Sequence, residues 1–351
     1  MQNDKNDSQL YKIAYQYFTL FCKIIGMLNE QVNEIITWYQ LNKRDLAFRK
    51  TKDPYCIWVS EVMAQQTQIK TMLPYYLAWI EKYPNVAALA NANMEDVYAL
   101  WAGLGYYNRA RNLVKGAQYI VDNYGKGYPS NYAQWMQVPG VGPYIGAAVT
   151  SICFNEKVAS IDGNVNRVIS RFNALDLVQG SVAFRNKVEQ QVKSWLALVD
   201  ACDLNQALME MGALVCTKSS PKCEQCPLNQ WCKGKRNWQD YPIKKVKKEN
   251  PIEEYKVGIW ISNDKIALAK PPYSDGLMEG YYRLPYVNSN VDTTKDYIKH
   301  VYSHKTWLVQ YDPNFSFDND HIVWIDVETL VKEKKLITAH VKLLKKFGLI
   351  R

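Results

Sequence analysis

Residues 138–149 read VPGVGPYIGAAV, and the reading of this stretch decides the architecture. Gly140 and Gly142 stand two apart, directly before Pro143 and an apolar run. Glycine lets a chain turn closely, and proline suits the first position of a helix. The first-turn N–H groups of such a helix have no partner inside it. They can therefore hold a phosphate without a charged side chain. No Gly-Lys-Ser/Thr follows, so this is not a nucleotide-triphosphate loop, and helical rather than strand-like sequence flanks it. The stretch reads as a tight turn between two helices that grips a phosphodiester backbone.

Helical patterning extends outward on both sides. Val32, Ile35, Ile36 and Tyr39 recur at helical spacing between Asn29 and Tyr39. Pro54 stops that pattern, and a second helix is expected from Ile57 to about Ala78, kinked at Pro74. From Pro84 to Arg171, short helical runs alternate with the turn sequences GLGYY, PGVGPYIG and IDGN. No alternating strand pattern occurs before Cys232. Residues 27–232 therefore read as an all-α unit of two helical lobes, with the glycine turn near 136–150. The preceding residues 1–26 include an aromatic-rich stretch, Tyr11–Met27, interrupted by Lys12, Gln16 and Lys23. It reads as a helical extension rather than a secretory signal, with Met27 as an alternative start.

The formal charge of +9 favours an anionic partner, and no apolar stretch is long enough to span a bilayer. Of eight cysteines, four fall in one tract, Cys216, Cys223, Cys226 and Cys232, spaced C-x6-C-x2-C-x5-C. In a chain this large, that pattern indicates metal or cluster ligation in a reducing compartment. Spacing alone leaves zinc and iron–sulfur open. Cys22, Cys56, Cys153 and Cys202 stand singly among apolar residues and read as core thiols.

Residues 233–254 are rich in lysine and proline and read as an exposed basic linker. Beyond Tyr255 the periodicity changes. YKVGIWIS, KIALAK, YYRLPYV, KTWLVQYD and HIVWIDV are strand-like, with helical signals near Asp296–Val301 and Val331–Phe347. Residues 255–351 thus form a small α+β unit, and the chain is multidomain. All four histidines (His300, His304, His321 and His340) lie there. Chemistry within the helical unit must then rely on carboxylates, tyrosines, lysines or a metal.

WVSEVMAQQTQ, GLGYYNRARNL, PGVGPYIGAAV, IDGNVNRV, NQALMEMGALVC and the cysteine tract occur in this order. In that combination the helical unit resembles the helix–hairpin–helix DNA glycosylase superfamily, in its adenine glycosylase branch. The resemblance implies one 4Fe-4S cluster on the four cysteines, as in endonuclease III-like enzymes. It further implies base excision at adenine opposite 8-oxoguanine or guanine in double-stranded DNA. Bifunctional members carry a lysine in the hairpin as Schiff-base nucleophile. Tyr144 holds the matching place here, so hydrolysis without strand cleavage is expected.

The same resemblance assigns roles. Glu61 matches the acid that protonates adenine, which requires a raised pKa. Asp162 matches the carboxylate that stabilises the sugar cation, with Asn164 as a hydrogen-bond donor to it. Tyr144 matches a tyrosine at the active centre, free to hold Asp162 or the water. Arg49 matches a residue lining the adenine pocket. Gln66 and Tyr106 match residues inserted into the duplex, and Gly140 and Gly142 the DNA-gripping hairpin. The second unit resembles the family's lesion-reading domain, of the nucleotide-pyrophosphate-hydrolase type but lacking its metal-binding glutamate helix. Ser303 and His304 match the residues that read 8-oxoguanine. Departures from the family are Phe48 for tryptophan, Ala47 for proline, Ala64 for a leucine wedge, and Asn166. Alternatives are a bifunctional pyrimidine-lesion glycosylase/lyase or a catalytically silent DNA-binding scaffold. A monomer is expected in a prokaryotic cytoplasm, associated with the nucleoid and not with membrane. No segment marks a replication or mismatch-repair partner.

Overall fold

The computed structural model describes residues 2–245, 250–269, 281–302, 305–316, 322–333 and 336–350. Side chains are described from residue 20 onward, residue 21 excepted. The chain divides into two compact units, Met1–Lys245 and Val246–Arg351.

The first unit is helical. Its elements are α1 (Gln2–Asn42), α2 (Pro54–Ala64), α3 (Ile69–Lys82), α4 (Val86–Ala90), α5 (Met94–Trp101) and α6 (Asn108–Tyr124). Then come α7 (Tyr132–Trp135), α8 (Pro143–Phe154), α9 (Gly163–Asn173), α10 (Val182–Leu196) and α11 (Ala201–Leu214). Side-chain caps set several starts. Asp53 accepts the N–H groups of Tyr55 and Cys56 with Pro54 at the first position of α2, and Asp162 accepts that of Val165 to open α9.

Two cores correspond to two lobes. One gathers Trp58, Trp79, Trp101 and Trp135 with Met63, Met72 and Ile145 from α2–α8. The other joins Val32, Ile35 and Tyr39 of α1 to Phe172, Trp195, Leu208 and Met211 of α9–α11. The amino-terminal helix thus completes the carboxy-terminal lobe. Helix α8 touches both α2 and α11, which sets the cleft between lobes at its amino end.

Several boundaries differ from the sequence reading. Residues 2–42 form one helix, so the extension continues the first helical run rather than preceding it. The expected Ile57–Ala78 helix is two helices, broken at residues 65–68, and α3 runs through Pro74. The break has an identifiable cause. Carbonyls that would continue the α2 ladder, those of Val62 and Met63, accept hydrogen bonds from Arg109 instead. Cys22 is exposed, not a core thiol, whereas Cys56, Cys153 and Cys202 are half-buried.

The stretch from 233 to 245 is docked, not a free linker. Lys233 and Gly234 donate backbone N–H bonds to Phe172 and Arg171, and Gln179 donates to Ile243. The Arg171 guanidinium lies 4.9 Å from the Trp238 ring centroid. One aromatic and one buried arginine outweigh the solvated lysines around them.

The second unit holds two sheets among its described residues. The strands are β1 (Ile252–Val257), β2 (Ile261–Ser262), β3 (Lys265–Ala269), β4 (Tyr286–Asn288), β5 (Ile298–Val301), β6 (Thr306–Tyr311) and β7 (Ile322–Asp326). One sheet has order β4-β1-β6-β5 and the other β2-β3-β7. β1 and β6 run parallel, and the remaining pairs are antiparallel. Helices α12 (Val327–Glu333) and α13 (Thr338–Lys346) complete the unit, α13 packing on β5 and β6. The first strand of this α+β unit begins three residues earlier than Tyr255. Residues expected to be helical near Asp296–Val301 are strand β5, because pairing of Ile298 with Val309 and His300 with Trp307 overrides local propensity. The Val331–Phe347 signal resolves into two helices rather than one. His340 is buried, its Nδ1 accepting the Leu284 N–H at 2.9 Å, and burial lowers its pKa to about 3.

Candidate active site between the helical lobes

A cavity of about 940 Å³ opens between the two lobes of the helical unit. Glu61 on α2, Tyr144 at the start of α8 and Asp162 at the start of α9 all line it. Sequence intervals of 83 and 18 residues thus close on one chamber because α8 packs against α2 and α11 against both α8 and α9.

Glu61 is 9 % exposed, and Tyr144 donates its hydroxyl to Glu61 Oε2 at 2.5 Å. Burial pushes the Glu61 carboxyl up to about 7; nearby Asp162 adds to the rise, while the Tyr144 hydrogen bond and Arg49 oppose it. Tyr144 therefore holds Glu61, not Asp162 as the sequence left open. Its hydroxyl also lies 3.3 Å from Met209 Sδ.

Asp162 has a different environment. Its Oδ1 accepts the Val165 N–H at 2.7 Å and its Oδ2 accepts Asn164 Nδ2 at 2.7 Å. Burial raises its pKa, opposed by these bonds and by Arg167. Asn164 Oδ1 in turn accepts Arg167 Nη2 at 2.8 Å, and Arg167 Nε donates to the Cys216 carbonyl at 2.8 Å. So one carboxyl rests on a phenol and the other on a helix N-terminus. That difference is what separate acid and anion roles require.

Arg49 lines the cavity, but its guanidinium is committed. Nη1 and Nη2 donate to Glu210 Oε1 and Oε2 at 3.0 and 2.7 Å. Arg44 forks onto the same carboxylate through Nε and Nη2, at 2.8 and 2.7 Å, and adds its backbone N–H. The Glu210 side chain is 1 % exposed, and its arginine partners overcome burial to hold its pKa at about 2. Glu210 lies within NQALMEMGALVC and is a site residue that the motif did not single out. The available signal was an acid between Met209 and Met211 on an apolar helix, which demands a buried cation. The departures Phe48, Ala64 and Asn166 also line the cavity, with the Phe48 and Tyr76 rings 5.8 Å apart.

Gly140 and Gly142 do different work. Gly140 has φ of +81°, and a Cβ there would lie 2.5 Å from Asn112 Cβ. Gly142 caps α8 in extended backbone with open space where a Cβ would stand. Only the first requires glycine for the fold. Gln66 and Tyr106, the expected duplex-facing pair, have φ of +55° and +51°. Both are exposed, Tyr106 by 62 %. Tyr107 packs instead against Tyr98, with ring centroids 5.8 Å apart.

Cys216, Cys223, Cys226 and Cys232 ring one further cavity, closed by Arg171 and Trp238. Arg171 Nη1 lies 3.5 Å from Cys216 Sγ and anchors the loop carbonyls of Thr217 and Lys218. Among the described residues no three His, Cys, Asp or Glu side chains converge as a single-ion site would require. Four soft thiols around a cavity suit a group several atoms wide, with a guanidinium beside it to balance negative charge. Lys218, Lys222, Lys233 and Lys235 are exposed around this loop. Ser303 and His304 lie outside the described residues.

Comparison with known proteins agrees with this geometry. Residues 59–195 match the HhH-GPD superfamily base excision DNA repair protein model. Residues 216–232 match the iron-sulfur binding domain of endonuclease III, which supports an iron–sulfur cluster as cofactor, and the four cysteines fall within that match. The adenine DNA glycosylase of Buchnera aphidicola subsp. Schizaphis graminum is 35 % identical over 221 residues, covering 61 % of this chain and 62 % of that protein. The human adenine DNA glycosylase is 39 % identical over 212 residues, covering 58 % of this chain and 39 % of that one. The chain thus spans less than two thirds of the length of these curated relatives. A solved thermostable thymine-DNA glycosylase superposes with a TM-score of 0.53 at 28 % identity, covering 58 % of this chain and 94 % of that one. Within the helical unit, residues 59–195 carry the HhH-GPD superfamily module of base excision DNA repair proteins, and the chain is similar to the adenine DNA glycosylases.

Proposed function

We propose that the chain is a monofunctional adenine DNA glycosylase that hydrolyses the N-glycosidic bond of adenine paired with 8-oxoguanine or guanine in duplex DNA. The observation that carries this reading is the buried Glu61–Tyr144 pair facing Asp162 across one cavity, with no lysine in the hairpin.

The adenine is turned out of the stack, at a cost of a few kcal/mol, into the cavity of about 940 Å³. With a pKa of about 7, Glu61 carries a proton on a good share of molecules at neutral pH and delivers it to adenine N7. The C1′–N9 electrons leave with the base, and the anionic Asp162 stabilises the sugar cation. Water adds at C1′ and its proton returns to Glu61. Tyr144 supplies no amine to attack C1′, so the product is an intact strand with an abasic site. Gly140, Gly142 and the N-terminus of α8 hold a phosphate, and Gln66 and Tyr106 enter the duplex. Cys216, Cys223, Cys226 and Cys232 would hold the 4Fe-4S group, which would tie the lysine-flanked loop to one centre. The α+β unit is of the nucleotide-pyrophosphate-hydrolase type and reads 8-oxoguanine through Ser303 and His304. The setting is the cytoplasm, where thiolate ligands stay reduced.

Duplexes carrying A opposite 8-oxoguanine, undamaged pairs or an oxidised pyrimidine test this. Adenine release that needs later alkali for strand scission, and that disappears in E61Q, is expected. Scission at the pyrimidine without alkali, or no release from any duplex, would overturn the reading.

A further inference from the structure

Two turns of the helical unit carry exposed residues in left-handed backbone. Gln66 lies between α2 and α3 with φ of +55°, and Tyr106 precedes α6 with φ of +51°. Neither is a glycine, so each conformation is strained and persists only if its surroundings impose it. They are 40 residues apart and on separate segments.

One side chain reaches both. Arg109 Nη1 donates to the carbonyls of Val62, Met63 and Gln65 at 2.9, 3.2 and 2.5 Å. Its Nη2 donates to Leu104 and Gly105 carbonyls at 3.1 and 3.2 Å, with Thr67 Oγ1 at 3.5 Å. The guanidinium is flanked by the Trp101 ring at 5.3 Å and the Tyr106 ring at 5.5 Å. A planar fork with two terminal nitrogens can bond two turns in fixed relative orientation; a lysine ammonium cannot. Among the described residues no carboxylate is hydrogen-bonded to it; its bonds go to five backbone carbonyls and the Thr67 hydroxyl.

We infer that Arg109 is a positioning residue that locks the Gln66 and Tyr106 turns into one rigid wedge, so that both enter the duplex together. The inference rests on the proposed function for the entry of Gln66 and Tyr106 into a duplex and for the kinetic test, whereas the joining of the two turns by Arg109 stands on the hydrogen bonds alone. In the free protein the turns are already placed by Arg109. The ordering cost is met in folding, not on encounter with DNA.

The test is a mutant cycle on single-turnover adenine release from the A:8-oxoguanine duplex, with duplex Kd measured alongside. R109K keeps charge and length but loses the fork, and is expected to slow release about tenfold or more. In a Q66A/Y106A background the same change is expected to cost less than about twofold, because the wedge side chains are already gone. Equal loss in both backgrounds, or no loss in either, overturns the inference. Hydrogen exchange in the unaltered protein supplies a second readout that does not depend on variant folding. Amides of residues 64–67 and 103–106 are expected to open together with matched protection. Independent exchange of the two turns at loop-like rates overturns the inference. Absence of adenine release from the unaltered protein would sink the reaction reading, while the exchange measurement would still decide the role of Arg109.

Discussion

Replacing Tyr144 with phenylalanine removes one hydroxyl and leaves the ring. The hydroxyl donates to Glu61 Oε2 at 2.5 Å and is one of two influences that hold the carboxyl down against burial, Arg49 being the other. A hydrogen bond to a charged group is worth about 1.5–3 kcal/mol, and one pKa unit corresponds to about 1.4 kcal/mol. Because the protonated carboxyl also tolerates a hydroxyl neighbour, the lower end applies. The Glu61 pKa is then expected to rise by about one unit in Y144F. With Glu61 as the proposed acid, release is expected to be flat below its pKa and to fall about tenfold per pH unit above it. The falling limb, near 7 in the unaltered protein, should move to about pH 8 in Y144F. Single-turnover adenine release measured from about pH 5 to pH 10 reads this directly. A limb that stays in place, or moves to lower pH, would show that Tyr144 does not stabilise the Glu61 carboxylate and would refute the reasoning.

The same carboxyl gives a stability prediction. Its folded-state pKa is raised from 4.5 to about 7, so ionisation opposes folding as pH rises through that window. E61Q should therefore abolish release yet stabilise the fold above pH 7, by up to about 3 kcal/mol, with no gain near pH 4; urea midpoints at both pH values check this. Glu210 has the opposite sign, held at about 2, so its contribution is present above 4.5 and is lost as pH falls towards 2. E210A, which strands Arg44 and Arg49, should cost about 3–5 kcal/mol in urea unfolding at pH 7. At the hairpin, G140A should lower the melting temperature because of its positive φ and the contact with Asn112. G142A should leave the melting temperature unchanged, since its methyl enters open space, while weakening duplex affinity if that space takes the proposed phosphate. Cys226→Ser should reduce bound iron and make the loop at 216–232 sensitive to protease.

The candidate side chains stood out in the sequence because their signals are local. A glycine turn before a helix, an Asp-Gly-Asn start and four clustered cysteines need only a few neighbouring residues to be recognised. Helical periodicity likewise announced the all-α unit, and β-branched runs announced the α+β unit. What depended on distant partners was not legible. The end of α2 at Ala64 is set by a guanidinium from α6, and strand β5 by its pairing with β6. Docking of residues 233–245 is set by Arg171 and Trp238, against a local charge that predicted solvation. Glu210 looked like any helical glutamate until two arginines from before α2 closed on it.

By itself, the sequence determined which groups are present: two carboxylates, a tyrosine where an amine could have stood, and four thiols. Tertiary structure decided their states. Burial of Glu61 beside a phenol raises its pKa, and the α9 N-terminus supplies Asp162 with donors. Both effects depend on dielectric and distance, which arise only when α2, α8 and α9 pack around one cavity.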